Sequence, residues 1–266
     1  MTAALTGCLQ AMPRWWAHRG GGSAAPENTL AAIRHGHAQG LAAVEFDVML
    51  SKDGAALLHH DWTVGRTAQG GHPGAAFAGL NAAELQTLDS GAWHSLPFAG
   101  ERIPDLQTAL ALCEALSLTV NLELKAPDDA SAWPLACECL RVLQASPFGL
   151  PTGRPRLVVS SFSVAALQAM REAGYIGSLA LLYEALPDDW ILAARDLHAD
   201  AVHLHQSGIT PEQVRRIHTT RRAVRAYTVN EAPRAAQLLA DGVDGLFTDR
   251  LALASAAGVS ASAICP

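Results

Sequence analysis

Residues 43–60 read Ala43-Val44-Glu45-Phe46-Asp47-Val48-Met49-Leu50-Ser51-Lys52-Asp53-Gly54-Ala55-Ala56-Leu57-Leu58-His59-His60, and this stretch decides the fold. Ala43 to Leu50 is a β-type apolar run in which Glu45 and Asp47, two apart, project to one face. Asp53-Gly54 then separates it from a second apolar run with no room for a helix between, a strong hairpin signal. A loop of two or four residues would set His60 opposite Asp47 or Glu45, with all three side chains on one sheet face; a three-residue loop would not. The hairpin is the exception in a chain that otherwise alternates strand and helix.

Working outward, strands are expected near Trp15 to His18, Ala43 to Leu50, Thr119 to Leu124, Leu157 to Ser161, Leu179 to Leu182, Ala201 to Leu204, Ala223 to Thr228 and Gly245 to Thr248. Helical patterns lie between them at Thr29 to Gln39, Leu106 to Ala115, Ser131 to Gln144, Val164 to Ala173, Asp188 to Asp196, Pro211 to His218 and Ala232 to Ala240. Pro211 and Pro233 suit first-turn positions. Eight strands in this order imply an α/β chain folded as a (β/α)8 TIM barrel, whose functional groups come from the C-terminal ends of the strands. The hairpin's return strand is then an antiparallel extra. Residues 61–104 are too long for an ordinary connection and too irregular for a barrel unit. They are expected to form a small lobe inserted after the second strand, with Trp62, Phe77, Trp93 and Phe98 as its miniature core in preference to a wall of the substrate pocket, the whole of 1–266 making one domain.

Composition narrows the function. The chain has 266 residues, 50% hydrophobic and 17% charged, which suits a globular enzyme and excludes a disordered chain. A formal net charge of −6, with few basic clusters beyond Arg215-Arg216 and Arg221-Arg222, offers no footprint for a nucleic acid. Attraction of an anionic substrate must therefore be local. Five cysteines (Cys8, Cys113, Cys137, Cys139, Cys265) lack zinc-type spacing and point to a reducing, cytoplasmic setting. Leu5-Thr6-Gly7-Cys8 imitates a lipoprotein cleavage box, but what precedes it is no signal sequence. No apolar run approaches the ~20 residues that span a bilayer.

The chemistry gathers where strands run out. Glu45, Asp47 and Glu123 would converge on the barrel mouth, where three buried carboxylates repel one another unless a cation joins them. All-oxygen ligation favours Mg²⁺ or Ca²⁺ over zinc. The alternative is that Glu123 simply pairs with Lys125, two residues on. His18 follows the first strand, ahead of Arg19 and Gly20-Gly21-Gly22, and a lone histidine there is ordinarily just a satisfied polar residue. Together with His60 it acquires a purpose, since cleaving a phosphodiester needs one group to take a proton and another to give one. Arg19 would supply a fixed cationic fork for phosphate oxygens. His59, next to His60, should face the other way and serve structure. Asp61 either orients an imidazole or caps the following turn, and His203 and His205 are expected to line the pocket wall. His35, His37, His72, His94, His198 and His218 fall on helices or in the insertion.

With these residues in view, the chain resembles the glycerophosphodiester phosphodiesterase family, bacterial type. The resemblance runs from His18 to Arg250: Ala17-His18-Arg19-Gly20; Pro26-Glu27-Asn28-Thr29; Val44-Glu45-Phe46-Asp47-Val48 with Lys52-Asp53-Gly54; His60-Asp61 with Arg66-Thr67; Ile103-Pro104-Asp105-Leu106; Leu122-Glu123-Leu124-Lys125; Ser160-Ser161-Phe162; Tyr227-Thr228-Val229-Asn230; and Gly242-Val243-Asp244-Gly245 with Thr248-Asp249. The resemblance implies hydrolysis of a small-molecule glycerophosphodiester to sn-glycerol 3-phosphate and an alcohol. It implies His18 and His60 as general acid and base, Glu45, Asp47 and Glu123 as ligands of Mg²⁺ or Ca²⁺, and Arg19 and Lys125 on the phosphate. Glu27 matches a position near the metal, and Thr29 is expected to cap the first helix. Tyr227 stands where the family usually has Trp, keeping a flat wall for the substrate while adding a hydroxyl. Two rivals are a lysophospholipase D acting on lysophospholipids and a catalytically silent phosphate-binding barrel. None of the motifs bears on oligomeric state.

Overall fold

The computed structural model describes residues 12–149 and 157–256. Cys8, Cys265 and the Leu5–Cys8 segment lie outside them. In chain order the elements are β1 (Trp15–Ala17), α1 (Leu30–Ala38), β2 (Ala43–Leu50), β3 (Ala56–Leu58), α2 (Ala82–Leu85), α3 (Leu106–Ala115), β4 (Thr119–Leu124), α4 (Asp129–Gln144), β5 (Leu157–Ser161), α5 (Val164–Glu172), β6 (Ser178–Tyr183), α6 (Trp190–Asp196), β7 (Ala201–His205), α7 (Pro211–Thr219), β8 (Ala223–Tyr227), α8 (Ala232–Ala240), β9 (Gly245–Thr248) and α9 (Ala252–Ala256). Every strand except β3 pairs in parallel, and β1 joins both β9 and β2, so eight strands close into a barrel. This is the expected (β/α)8 architecture. Helices begin where polar caps end the coil: Thr29 Oγ1 accepts from Ala32 N–H at 3.1 Å, and Thr210 closes a capping box with Gln213 ahead of Pro211.

Period-two alternation sorts the side chains. The outward set, including Val44, Phe46, Val48, Val120, Leu122 and Val159, packs with Ile33, Leu110, Leu135 and Leu167 of the helices in one large buried cluster. Inside the barrel a smaller cluster holds Trp16, Val158 and Phe247 with four alanines, Ala43, Ala180, Ala201 and Ala223. Those short side chains leave room for Trp16 and for Arg225, whose guanidinium lies 5.4 Å from the Trp16 ring.

The hairpin departs from the favoured register. Met49 pairs with Leu57 and Leu50 with Ala56, while Ser51 N–H donates to Ala55 O, so the turn is the three residues Lys52, Asp53 and Gly54. Asp47 therefore stands opposite His59, whose N–H donates to the Asp47 carbonyl at 3.2 Å, and strand parity does not deliver His60. His60 reaches the barrel mouth because β3 ends at Leu58 and the chain leaves the pleat there. His59 is buried and stacks on Phe77 at 4.7 Å, in keeping with a structural position.

The core of the 61–104 segment also differs from expectation. Of the four aromatic residues only Phe77 is buried in it, among Val64, Ala68, Leu80, Leu85, Leu88 and Ile103, with Met49 and Leu57 of the hairpin. Trp62 is 47% exposed, with Lys125 Nζ 5.0 Å from its ring centre. Aliphatic residues close to the hairpin were better placed to bury themselves than indoles carrying an N–H that needs a partner. His198, expected on a helix, lies just beyond the end of α6 with φ 47°.

Candidate active site

The carboxylates meet because of strand register. Asp47 sits beside Glu123 and Glu45 beside Asn121 in the β2–β4 ladder, so all four side chains face the barrel interior at adjoining levels. Glu45, Asp47 and Glu123 each offer an oxygen within 4.8 Å of the others. Burial, then repulsion from Asp47 and Glu123, holds the Glu45 carboxyl well above its usual range. Glu123 is pushed up to about 8 by burial and by Asp47. Asp47 goes the other way: burial opposes its ionisation, but Arg19, His60, Lys125 and the amide of Asn28 outweigh it. Two carboxyls that resist ionising beside one already ionised form a donor set that a hard divalent cation fits, since the ion supplies the charge the protein withholds.

His18 follows directly on β1, its N–H donating to Thr248 O. Its Nδ1 lies 2.6 Å from Asp249 Oδ1, and its Nε2 is 3.9 Å from Glu45 Oε2. Asp249 is itself held by Asn230 Nδ2, at 2.9 Å, and its N–H donates to Asn230 Oδ1. Arg19 adopts φ 51°, which turns its own N–H onto Glu45 Oε2 at 2.8 Å while its Nη1 donates to Glu27 at 2.7 Å. The glycine three residues on is required: a Cβ on Gly22, φ 58°, would overlap the Asp249 carbonyl.

His60 has a parallel arrangement. Its Nδ1 lies 2.8 Å from Asp61 Oδ1, and Arg66 clamps the Asp61 carboxylate at 2.5 and 2.9 Å. The Arg66 fork also reaches both oxygens of Glu27, at 2.9 and 2.8 Å, so Glu27 joins Arg66 to Arg19. Burial, the leading influence, moves the His60 pKa down, partly offset by Asp47. Of the two roles open to Asp61, the structure thus has it against the imidazole. Lys125 Nζ lies 3.8 Å from Glu123 Oε1, a loose approach that leaves both side chains near the mouth.

One cavity of about 230 Å³ is lined by His18, Arg19, Glu45, Asp47, His60 and Glu123 together, with His203, His205 and Tyr227 in its wall. The Tyr227 hydroxyl donates to the Tyr183 carbonyl at 3.0 Å and is thereby engaged within the wall. His205 Nδ1 pairs with Ser207 Oγ at 2.8 Å. His203 is buried, and Arg225 Nη1 lies 3.3 Å from its Nε2; since guanidinium only donates, Nε2 accepts and the ring proton is on Nδ1. Burial pushes the His203 pKa well down.

Sequence reasoning assigned no position to several residues that hold this arrangement. Asn28, with φ 58° and buried, donates to Asp47 Oδ2 at 2.8 Å and accepts from Asp47 N–H at 3.0 Å. Asp249, Asn230 and Arg66 were visible in the quoted motifs, but their partners lie far away in the chain. Phe162 and Glu184 complete the cavity wall.

Known proteins resemble this chain in sequence and in fold. The chain is 30% identical over 235 residues to a glycerophosphodiester phosphodiesterase of Caldanaerobacter subterraneus subsp. tengcongensis, covering 88% of this chain and 92% of that one. A glycerophosphodiester phosphodiesterase of Bacillus altitudinis is 28% identical, with coverage of 90% and 95%. Among solved structures, an Oleispira antarctica phosphodiesterase in complex with the product sn-glycerol-3-phosphate superposes with a TM-score of 0.85 at 32% identity, covering 93% of this chain and 98% of that one. The model of the glycerophosphoryl diester phosphodiesterase family matches residues 18–253, and the chain belongs to that family.

Proposed function

We propose that the protein hydrolyses glycerophosphodiesters to sn-glycerol 3-phosphate and an alcohol, with His18 and His60 dividing the proton transfers. The observation that carries this reading is the single cavity in which two imidazoles, each backed by its own carboxylate, flank three converging acidic side chains. Glu45, Asp47 and Glu123 would hold Mg²⁺ or Ca²⁺, which supplies positive charge to the nonbridging phosphate oxygens. Arg19 and Lys125 bring two further cations to the same group. Asp249 and Asp61 fix the two rings through Nδ1, leaving each Nε2 to face the substrate, one to accept the proton of the attacking oxygen and one to donate to the leaving oxygen. Glu27 keeps Arg19 and Arg66 in place. Tyr227, His203 and His205 form the wall on the substrate's glycerol side, and its small volume suits free glycerol better than an acylated one.

Cys137 and Cys139 are free thiols, which supports a cytoplasmic protein. Among the described residues no helix is long and apolar enough to cross a membrane. The test is an assay for choline released from glycerophosphocholine and, in parallel, from lysophosphatidylcholine, with Mg²⁺, Ca²⁺ or EDTA, and with glycerol 3-phosphate measured as the second product of the former. Release that needs the cation and prefers glycerophosphocholine is expected. Preference for the lysolipid would move the assignment to a lysophospholipase D, and inertness toward both would make the barrel a silent binder.

A further inference from the structure

We propose that Arg225 is a positioning residue that holds His203 as the neutral tautomer with its proton on Nδ1, and that this N–H, with the side-chain oxygen of Asn121, binds the terminal hydroxyl of the glycerol unit; this rests on the phosphodiesterase reading above. Arg225 lies fully buried inside the barrel, with His203 beside it on β7 and Gly245 beside it on β9. Gly245 makes its room: a Cβ there would stand 3.3 Å from both Cγ and Cδ of Arg225. Among the described residues no carboxylate pairs with this guanidinium. Its Nη1 donates to His203 Nε2 at 3.3 Å, and its central carbon lies 5.4 Å from the Trp16 ring. Burying a cation without a counter-charge costs stability, and an apolar side chain of similar volume would serve packing better. What the cation does is set the imidazole.

With Nε2 accepting from Arg225, the His203 proton sits on Nδ1, and burial together with the neighbouring cation keeps a second proton off the ring. The ring lies against Phe247, 5.1 Å between centres, and among the described residues its Nδ1 has no hydrogen-bond partner. Asn121 has the complementary lack. Its Nδ2 donates to Ser160 Oγ at 2.9 Å, while its buried Oδ1 accepts from no described residue. β4 and β7 stand on opposite sides of the barrel with β5 and β6 between them, and Asn121 and His203 both line the cavity that holds the acidic trio. Two residues farther along the same strands, Glu123 and His205 line that cavity nearer the mouth, so Asn121 and His203 belong to its floor. A buried donor and a buried acceptor are each costly to leave unmade. A hydroxyl accepts and donates at once, and so satisfies both. With phosphorus held at the trio, the part of the substrate farthest from it, the terminal hydroxyl of glycerol, is the one that reaches the floor.

The experiment compares glycerophosphocholine with the analogue in which propylene glycol, esterified through its primary hydroxyl, replaces glycerol, so that only the terminal hydroxyl is missing. Choline release reports on both. The unmodified protein should favour the glycerol substrate in kcat/KM by about tenfold or more, and His203→Phe, which keeps a flat ring without the N–H, should cut that preference to about threefold or less. Asn121→Leu should do the same from the opposite wall. Arg225→Met, which touches no substrate, should also erode the preference, and NMR of the imidazole nitrogens should show why: His203 protonated on Nδ1 in the unmodified protein, and a mixture of tautomers in the variant. A merely structural Arg225 would lower both substrates together and leave the tautomer as it was. Equal losses on the two substrates, no preference in the unmodified protein, or a His203 proton on Nε2 would overturn the hydroxyl site while leaving the phosphodiesterase reading intact. Failure of the unmodified protein on both substrates would overturn that reading and this assignment with it.

Discussion

Divalent metal added to the metal-free protein at pH 7 should expel protons from the barrel mouth, about one of them from Glu123. The number follows from the carboxylates. Glu123, pushed up to about 8 by burial and by Asp47, holds its proton at neutral pH, and ionising it there costs about 1.4 kcal/mol. Glu45 is raised well above its usual range for the same reasons, whereas Asp47 is already ionised under the influence of Arg19, His60 and Lys125. A cation that takes an oxygen from each must displace the proton of Glu123, together with any that Glu45 holds. Affinity should consequently tighten by about tenfold per proton released for each pH unit between 6 and 8, and level off above.

Calorimetric titration of Mg²⁺ or Ca²⁺ in buffers of different ionisation enthalpy measures the proton count directly. Glu123→Gln should lower that count by about one at pH 7. Stability of the metal-free protein carries the same signature with the opposite slope. Glu123 binds its proton more tightly folded than unfolded, so its contribution is full below the ordinary 4.5 and is lost as pH rises through about 8. The thermal midpoint without metal should fall across that window, and with saturating metal it should not. Metal binding that releases no protons at pH 7, with an affinity flat from pH 6 to 8, would refute the reasoning.

Further outcomes are expected at the supporting residues. His18→Ala and His60→Ala should each lower kcat by roughly 10²-fold or more, and unchanged steady-state rates in either would remove that imidazole from the chemistry. Asn28→Ala, which strips Asp47 of two hydrogen bonds at a left-handed backbone position, should cost about 2 kcal/mol in denaturant unfolding and weaken metal binding. Arg225→Met should be neutral or stabilising by up to about 3 kcal/mol: burial pushes the guanidinium down to about 10 from 12.5, a penalty present at neutral pH that Met would relieve. Marked destabilisation of Arg225→Met in the same unfolding assay would mean that its bond to His203 outweighs that penalty.

Much of this barrel could be read before any coordinates because one rule governs its strands. Residues such as Val44, Phe46 and Val48 must be apolar to meet the helices, so the inward positions between them are free to be Glu45 and Asp47, and the interruption of an apolar run marks the site. The hairpin was less legible, since one residue more or less in the turn reverses every side chain, and both Ser51 and Ala55 can serve as turn or ladder. The inserted segment was least legible. Its aromatic residues looked like a core by hydrophobicity, but Trp62 is exposed and Trp93 only half-buried, and only the tertiary arrangement tells which indole has a partner for its N–H. Asp249 lies 231 residues from His18, a pairing that no local pattern encodes.

The two imidazoles are held by carboxylates of different character, and this difference organises the site. The Asp249 carboxylate receives one amide hydrogen bond from Asn230, which orients it without neutralising it, so the charge beside His18 is retained. Asp61 is gripped by the bidentate fork of Arg66, which absorbs much of the charge beside His60. The same Arg66 reaches Glu27, Glu27 holds Arg19, and Arg19 returns through its backbone N–H to Glu45. The chain of contacts therefore runs from one imidazole around the rim to the acidic trio and ends beside the other. A cation lost from that rim would unbalance more than its immediate partner: without Arg66, Asp61 becomes a full charge against His60 and Glu27 is left to Arg19 alone, which loosens the hold on the Arg19 guanidinium. Arg66, to which sequence reasoning gave no position, is thus the residue that keeps the surroundings of the two imidazoles distinct.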